Sequence, residues 1–529
     1  MKPVILIADQ ISEIGIEALR ASDHFEVRVQ IGLKGDALLA AVADVNAIVV
    51  RSQTKITEEV IQAAPKLQAV GRAGVGVDNV DVDAATQRGV VVMNTPAGNT
   101  ISTAEHAFSL MMSMARRIPQ AHASVVAGKW DRKSFEGVEL YNKNLAVLGM
   151  GRIGTEFARR AIAFGMRVYA YDPYITASRA RALQVELIEK LDDILPLADF
   201  VTLHMPLTSE TRHMLNAPRM RAMRPDARIV NCARGGLIDE AGLARVLEEG
   251  HLGGVALDVY EQEPPAEAFA LRAHPKMVFT PHLGASTVEA QEGVGVEIAE
   301  SIQAALVDGV FRNAVNMPNV DKQVLELLRP YLSLGERLGR FVSQLSTQRC
   351  ESLQVTFSGR VGEFDTTPVS RAVLKGYLER VGGAEVNMVN APSLAKSLGL
   401  EVSERRQGAT GEFTDLIEVS AGCGAEQVSV AGTYFGAAPR IVKVNQSFVE
   451  AKPEGVILYL ENRDRPGIVG QLGTILGAHQ VNIARMSLGR NEAGGRALTL
   501  LNLDTEPGKE LMDSLLADPD IYLVRSIVV

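Results

Sequence analysis

Three stretches of this sequence each follow an apolar run and end on a residue type that reacts. "ARIVNCARGG" carries Arg234, "GGVALDVYEQEPP" carries Glu263 and "KMVFTPHLGAST" carries His282. A guanidinium stays charged in a protein and presents a planar fork that matches a carboxylate. An imidazole exchanges a hydroxyl proton near neutral pH. A carboxylate on its second ring nitrogen fixes the ring and favours the imidazolium. Together these are the parts needed to oxidise an alcohol that sits beside a carboxylate. Arg234 follows what reads as a buried strand, where a cation without a partner is costly. It is either salt-bridged at the strand end or kept for an anion from outside the chain. The company of Glu263 and His282 favours the second use, so Arg234 is expected to be left unpaired for substrate.

A fourth stretch, "NLAVLGMGRIGTEFARRAIAFGMRVYAYDP", holds Gly149, Gly151 and Gly154 in G-x-G-x-x-G order. An apolar strand precedes it, a helical pattern follows, and a second strand ends in Asp172 at about the 20-residue distance of a dinucleotide site. The glycines allow a tight turn and a close backbone approach to a pyrophosphate, which rests on the positive end of the helix. Asp172 would accept hydrogen bonds from a ribose diol. A 2′-phosphate would be repelled there, and no arginine or lysine follows at once in "DPYIT", so the expected cofactor is NAD.

Other reactive types read as structural. His106 lies on an amphipathic helical pattern, and His204 ends a strand near the cleft without a carboxylate in its own motif. Nothing near Cys232 would activate its thiol. The three cysteines, Cys232, Cys350 and Cys423, are far apart and without metal-ligand spacing, so reduced thiols in a cytoplasm are expected and no metal is.

The elements that must position these residues are legible as alternating strands and helices. Short apolar runs from "VILIAD" to "GVVVMNTP" and again from "NLAVLGM" to "KMVFTPH" are spaced by helical segments, which implies two doubly wound parallel-sheet units of the α/β class. After Pro318 a long helical stretch leads into alternating strands, an α+β unit. A final segment from about "GVILYLE" follows the βαββαβ order of a ferredoxin-like module. At 529 residues several cores are required, and the 47% hydrophobic and 22% charged fractions are those of a globular protein. A net charge of −9 disfavours nucleic acid or an acidic membrane as the main partner. The N-terminus enters a strand at once, too soon for a signal peptide, and no apolar run approaches the ~20 residues of a membrane helix. A cytoplasmic location is expected.

With these motifs in place, the chain resembles the D-isomer-specific 2-hydroxyacid dehydrogenases over essentially its whole length. Within them it is similar to the long-form branch that acts on 3-phosphoglycerate. The resemblance implies that Arg234, Glu263 and His282 are catalytic. It implies a flavodoxin-like substrate domain made of residues 1–98 and 285–317, and a Rossmann NAD domain at 99–284 between them. An additional regulatory domain would occupy 318–453 and an ACT domain 454–529. Cofactor contacts carry over to Gly149, Gly151, Arg152, Ile153, Gly154, Asp172, Cys232, Ala233, Asp258, Gly284 and Ala285. Relatives often have threonine where this chain has Val75 and Met205, so contacts there would come from backbone. The phosphate end of the substrate needs cations. Arg51 and Arg72 each follow an apolar strand of the first unit, with Gly74 and Val75 beside them. Arg132, in the arm "GKWDRKSF" with Lys133, would reach a neighbouring subunit in a homotetramer or homodimer. In the ACT segment, "ENRDRPGIVGQLGTILGAHQVNI" places Asn462, Asp464 and Asn482 where relatives bind an amino-acid effector such as L-serine, and Asn462 replaces their histidine or tyrosine. Arg440 and Lys452 fall where the long form holds an anion. The alternatives are a related dehydrogenase acting on glyoxylate or hydroxypyruvate, and an NAD-sensing corepressor. The first would have no use for the extra arginines or the ACT segment; the acidic chain without basic tails disfavours the second.

Overall fold

The computed structural model describes residues 2–318, 322–346, 348–408, 413–424, 426–490 and 492–529. Five strands, β1 (Val4–Ile7), β2 (Glu26–Val29), β3 (Ala47–Val50), β4 (Ala69–Arg72) and β5 (Val91–Met93), pair in parallel in the order β2-β1-β3-β4-β5. Alternate side chains feed two cores, Ile5, Ile7 and Val49 on one face, Leu6, Ile48 and Val50 on the other. That is why the strands read as unbroken apolar runs rather than as alternation. Helix Val288–Gln303 returns to the first of these cores with Val294, Ile298 and Ile302. Further on, Asn316 accepts from the Val92 N–H at 2.9 Å.

Seven strands build the second sheet: β6 (Asn144–Leu148), β7 (Arg167–Tyr171), β8 (Glu186–Leu187), β9 (Phe200–Leu203), β10 (Arg228–Asn231), β11 (Gly254–Leu257) and β12 (Met277–Phe279). Their order is β12-β11-β10-β9-β6-β7-β8, and every pair is parallel. Strand order reverses direction between β6 and β9, and a crevice opens outside the carboxyl ends at such a switch point. The first sheet has its own switch between β1 and β3. Both halves are doubly wound, as expected.

A third, mixed sheet has the order β14-β13-β15-β16-β17-β18, from β13 (Ser352–Gly359), β14 (Glu401–Gln407), β15 (Asp415–Cys423), β16 (Glu426–Phe435), β17 (Ala438–Val444) and β18 (Ser447–Ala451). Only its β13–β14 pair is parallel. Helices Lys322–Leu345 and Thr367–Gly382 pack on it through Leu338, Phe341, Val342 and Val373. The last four strands, β19 (Val456–Arg463), β20 (Ile483–Arg490), β21 (Arg496–Leu503) and β22 (Ile521–Val528), form an antiparallel sheet in the order β20-β21-β19-β22. This is the ferredoxin-like module. Helices Ile468–Ala478 and Lys509–Leu516 cover one face with Leu472 and Leu511, while Ile457, Tyr459 and Ile527 on the other join the core under helix Lys322–Leu345. No helix among the described residues is long and apolar enough to cross a membrane.

One expectation is corrected here. Cys350 and Cys423 are joined in a disulfide across 73 residues, and Cys232 is the free, buried thiol. The β13–β15 pairing, with Ser352 opposite Gly422, brings the two cysteines together. Spacing along the chain carries no trace of that register.

Candidate active site

The two switch points face one another across a cleft of about 550 Å³. Its walls include Val75, Gly76 and Asp78 from the first sheet, Arg152, Ile153, Ala233, Arg234 and Asp258 from the second, and His282, Gly284 and Ala285 from the loop after β12.

The glycine loop joins β6 to helix Arg152–Ala163. Helices at Asp81, Asp239 and Thr287 begin under a side-chain cap, whereas this one starts at Gly151 with no side-chain cap. Its first N–H groups are therefore open to an anion. A Cβ on Gly154 would lie 2.0 Å from the Gly149 carbonyl oxygen, so the turn closes only without a side chain there. Asp172, just past β7, accepts from the Met150 N–H at 2.7 Å and from the Tyr174 N–H at 2.9 Å. Its carboxylate is thereby held beside the loop, with acceptor capacity left for a ribose diol. These features fit a dinucleotide.

His282 has a left-handed backbone, φ 56°, an uncommon conformation for a non-glycine residue. The buried Asp258 carboxylate holds it there, accepting from the N–H groups of Leu283 at 2.8 Å and Gly284 at 2.9 Å. Asp258 is braced in turn by Thr280 Oγ1 at 2.5 Å and by His106 Nε2 at 3.1 Å. Burial alone would raise its carboxyl pKa, but the bonds from His106, Thr280 and the loop hold it below the usual range. His106, read from sequence as structural, thus braces the loop that carries His282. The signal, a histidine on a helix, was too common to single out.

Glu263 Oε2 lies 2.7 Å from His282 Nδ1, and Glu263 Oε1 accepts from the Tyr260 N–H at 3.1 Å. The bond to Glu263 raises the His282 pKa, against burial and the opposing charge of Arg234. Nε2 is left as the ring nitrogen for a ligand. His204 also lines the cleft, but burial takes its pKa down to about 3 and it bonds Thr202 at 3.0 Å, so it stays neutral. Burial pushes the Cys232 thiol well up, so it stays protonated.

Arg234 is not unpaired, contrary to the sequence expectation. Its Nε lies 3.2 Å from Asp78 Oδ2, and its Nη1 donates to the Ala233 carbonyl at 2.6 Å. Asp78 is 71% exposed, so this is a solvent-screened pair that a bound carboxylate can displace. A Cβ on Gly76 would meet Arg234 Nη2 at 2.0 Å, so a side chain there would push the fork aside. Of Arg51, Arg72 and Arg234, Arg72 is the one with an unsatisfied buried nitrogen. Its Nε is buried with no hydrogen-bond partner among the described residues, and its pKa is pushed down to about 10 by burial and by the charges of Arg234 and Arg51. Arg72, with its buried and unsatisfied Nε, is repelled by both Arg51 and Arg234, and an anion of more than one charge would relieve that repulsion.

Arg51, Arg72 and Gly74 do not line the cleft themselves, although Arg72 feels the charges of Arg51 and Arg234, and the remaining sequence candidates are elsewhere. Arg132 and Lys133 lie on the exposed arm with Trp130, which is 84% exposed, and do not line the cleft. In the last module Asp464 accepts from Arg490 Nη1 at 2.8 Å and the Gly494 N–H at 3.0 Å, and Asn482 donates to Asp504 at 2.7 Å. Asn462, named above as an effector contact, has both ends of its amide engaged within the sheet. It is fully buried in the sheet, accepting from Thr499 and donating to the Arg463 carbonyl. Arg440 and Lys452 are not free cations either, since they pair with Glu450 and Glu454, each at 3.1 Å.

Comparison with known proteins agrees with this geometry. Residues 108–284 match the family model "D-isomer specific 2-hydroxyacid dehydrogenase, NAD binding domain". Residues 327–445 match "D-3-phosphoglycerate dehydrogenase intervening domain", and 456–520 match the ACT domain. The D-3-phosphoglycerate dehydrogenase of Methanocaldococcus jannaschii is 42% identical over 523 residues, 99% of each chain. That of Bacillus subtilis is 38% identical over 527 residues, again 99% of each. Among solved structures, the NAD⁺-bound 3-phosphoglycerate dehydrogenase of Entamoeba histolytica is 27% identical, with a TM-score of 0.52 over 60% of this chain and 100% of its own. A protein of Thermus thermophilus, 34% identical, gives 0.54 over 59% of this chain and 99% of its own. The chain belongs to the D-3-phosphoglycerate dehydrogenase family of D-isomer-specific 2-hydroxyacid dehydrogenases.

Proposed function

We infer that this chain catalyses the NAD-dependent oxidation of 3-phospho-D-glycerate to 3-phosphohydroxypyruvate, the first step of the phosphorylated route to L-serine. The observation that carries the reading is the arginine cluster opposite the Glu263–His282 pair: a dianionic phosphate and a carboxylate at the two ends of a short acid answer it. Arg234 exchanges Asp78 for the substrate carboxylate and polarises the C2 oxygen. His282, neutral before the step, takes the C2 hydroxyl proton on Nε2, and Glu263 stabilises the imidazolium that results. The hydride acceptor for C2 would be supplied by NAD bound on the glycine loop. Arg51 and Arg72 hold the phosphate, with Gly74 and Val75 completing the turn beside it. Gly149, Gly151, Arg152, Ile153 and Gly154 hold the pyrophosphate, Asp172 the ribose, and the Cys232-Ala233 turn with Asp258, Gly284 and Ala285 the nicotinamide end.

The exposed Val126, Trp130 and Tyr141 support a subunit contact on that arm, which would carry Arg132 to a neighbouring cleft in a homodimer or homotetramer. L-Serine is the proposed effector, taken up at the Asp464 turn and Asn482 where two ACT modules pair, and a cytoplasmic location goes with that metabolism. Steady-state NADH formation from 3-phosphoglycerate tests the activity. Turnover of unphosphorylated 2-hydroxy acids with none of 3-phosphoglycerate would overturn it.

A further inference from the structure

At the switch point of the first sheet, the loops after β1 and β3 meet through Asp9 and Arg51. Asp9 is buried, 1% exposed, and its carboxylate makes no ion pair among the described residues, although its charge reaches Arg72. It accepts from the N–H groups of Arg51 at 2.7 Å, Gln53 at 3.1 Å and Thr54 at 3.1 Å, and from Thr54 Oγ1 at 2.6 Å. From the other side Asn79 Nδ2 donates to the carbonyls of Arg51 and Thr54, both at 2.7 Å. Arg51 therefore has its amide and its carbonyl fixed by two side chains from two other loops. Asn79 directly follows Asp78, the residue that pairs with Arg234. One turn thus holds the Arg51 loop and, until an anion displaces Asp78, also touches Arg234. A surface arginine in a merely structural role has no need of such a frame.

We propose that Asp9 and Asn79 are positioning residues that fix Arg51 at the distance from Arg234 required by a phosphate and a carboxylate on one small molecule. The inference rests on the functional reading above and adds the source of its selectivity for the phosphorylated acid. Without the frame the loop keeps its charge but loses its place, so affinity for the phosphate end falls while the chemistry at C2 continues.

The test compares 3-phosphoglycerate with D-glycerate, the same acid without its phosphate, in Asn79→Ala, Asp9→Asn, Arg51→Ala and Asn79→Ala/Arg51→Ala enzymes. For Asn79→Ala we expect KM for 3-phosphoglycerate to rise about tenfold, the equivalent of one charge-assisted hydrogen bond, with kcat within about twofold and KM for D-glycerate unchanged. In the Arg51→Ala background the same change should add nothing. Asp9→Asn should act in the same direction and more strongly. Should that buried change prevent folding, the half-buried Asn79 still decides the question. Equal KM increases for both acids, or full additivity with Arg51→Ala, would overturn the inference alone. A wild-type enzyme with no preference between the two acids would overturn the functional reading and this inference with it.

Discussion

Replacement of Arg234 by alanine probes the centre of the mechanism, and its cost can be worked from the site. On the proposed reading the fork would make two charge-assisted hydrogen bonds to substrate, each worth about 1.5–3 kcal/mol net. In the free enzyme, Asp78 occupies Nε at 3.2 Å, and substrate must displace it. Asp78 is largely exposed, so that pair is worth about 0–1 kcal/mol and offsets little of the gain. The neighbouring Arg72 and Arg51 still attract the anion in the variant, which reduces the loss further. A net loss of about 3 kcal/mol remains, or roughly 100-fold in kcat/KM. Arg234→Lys keeps the charge without the planar fork and should fall between the variant and the wild type. Initial rates of NADH formation across 3-phosphoglycerate concentrations measure both. A folded Arg234→Ala enzyme with nearly wild-type kcat/KM would refute the assignment of the carboxylate to this arginine.

Glu263→Gln removes the carboxylate that raises the His282 pKa. Alcohol oxidation needs the neutral ring, so the acid limb of the kcat/KM–pH profile should move to lower pH; an unmoved limb would mean that another group titrates there. Asp172→Ala should erode the preference for NAD over NADP by removing both the diol acceptor and the repulsive charge, and should raise KM for NAD because Met150 loses its tie. A wild-type enzyme that already used NADP equally well would show that Asp172 does not discriminate. Calorimetric titration of L-serine into the intact enzyme should give binding with inhibition, both lost in Asp464→Ala; coupling of ~1–3 kcal/mol between effector and active site is typical. No heat and no inhibition in the intact enzyme would leave the ACT module a role in assembly only.

Sequence by itself determined the parts whose signal is local. Apolar runs spaced by helical segments dictated two parallel sheets, because strands buried on both faces cannot alternate. The glycine pattern followed by Asp172 marked the cofactor turn, because a tight βα turn and a second strand of ordinary length leave that spacing little freedom. Arg234, Glu263 and His282 stood out because each follows a strand whose carboxyl end must face the crevice. What depends on residues distant in the chain was settled only by the tertiary structure. Asp78 lies 156 positions before Arg234, and nothing near either shows that they pair. The same holds for His106 on Asp258, for Asp9 on the Arg51 loop, and for the disulfide from Cys350 to Cys423. Asn462 illustrates the reverse. Its motif placed it at a ligand site, but strand pairing buried its amide against Thr499. Composition and periodicity specify which elements form and which face each buries. The partner of a polar side chain is chosen by strand register and by the docking of one sheet on another, and those are properties of the folded chain as a whole.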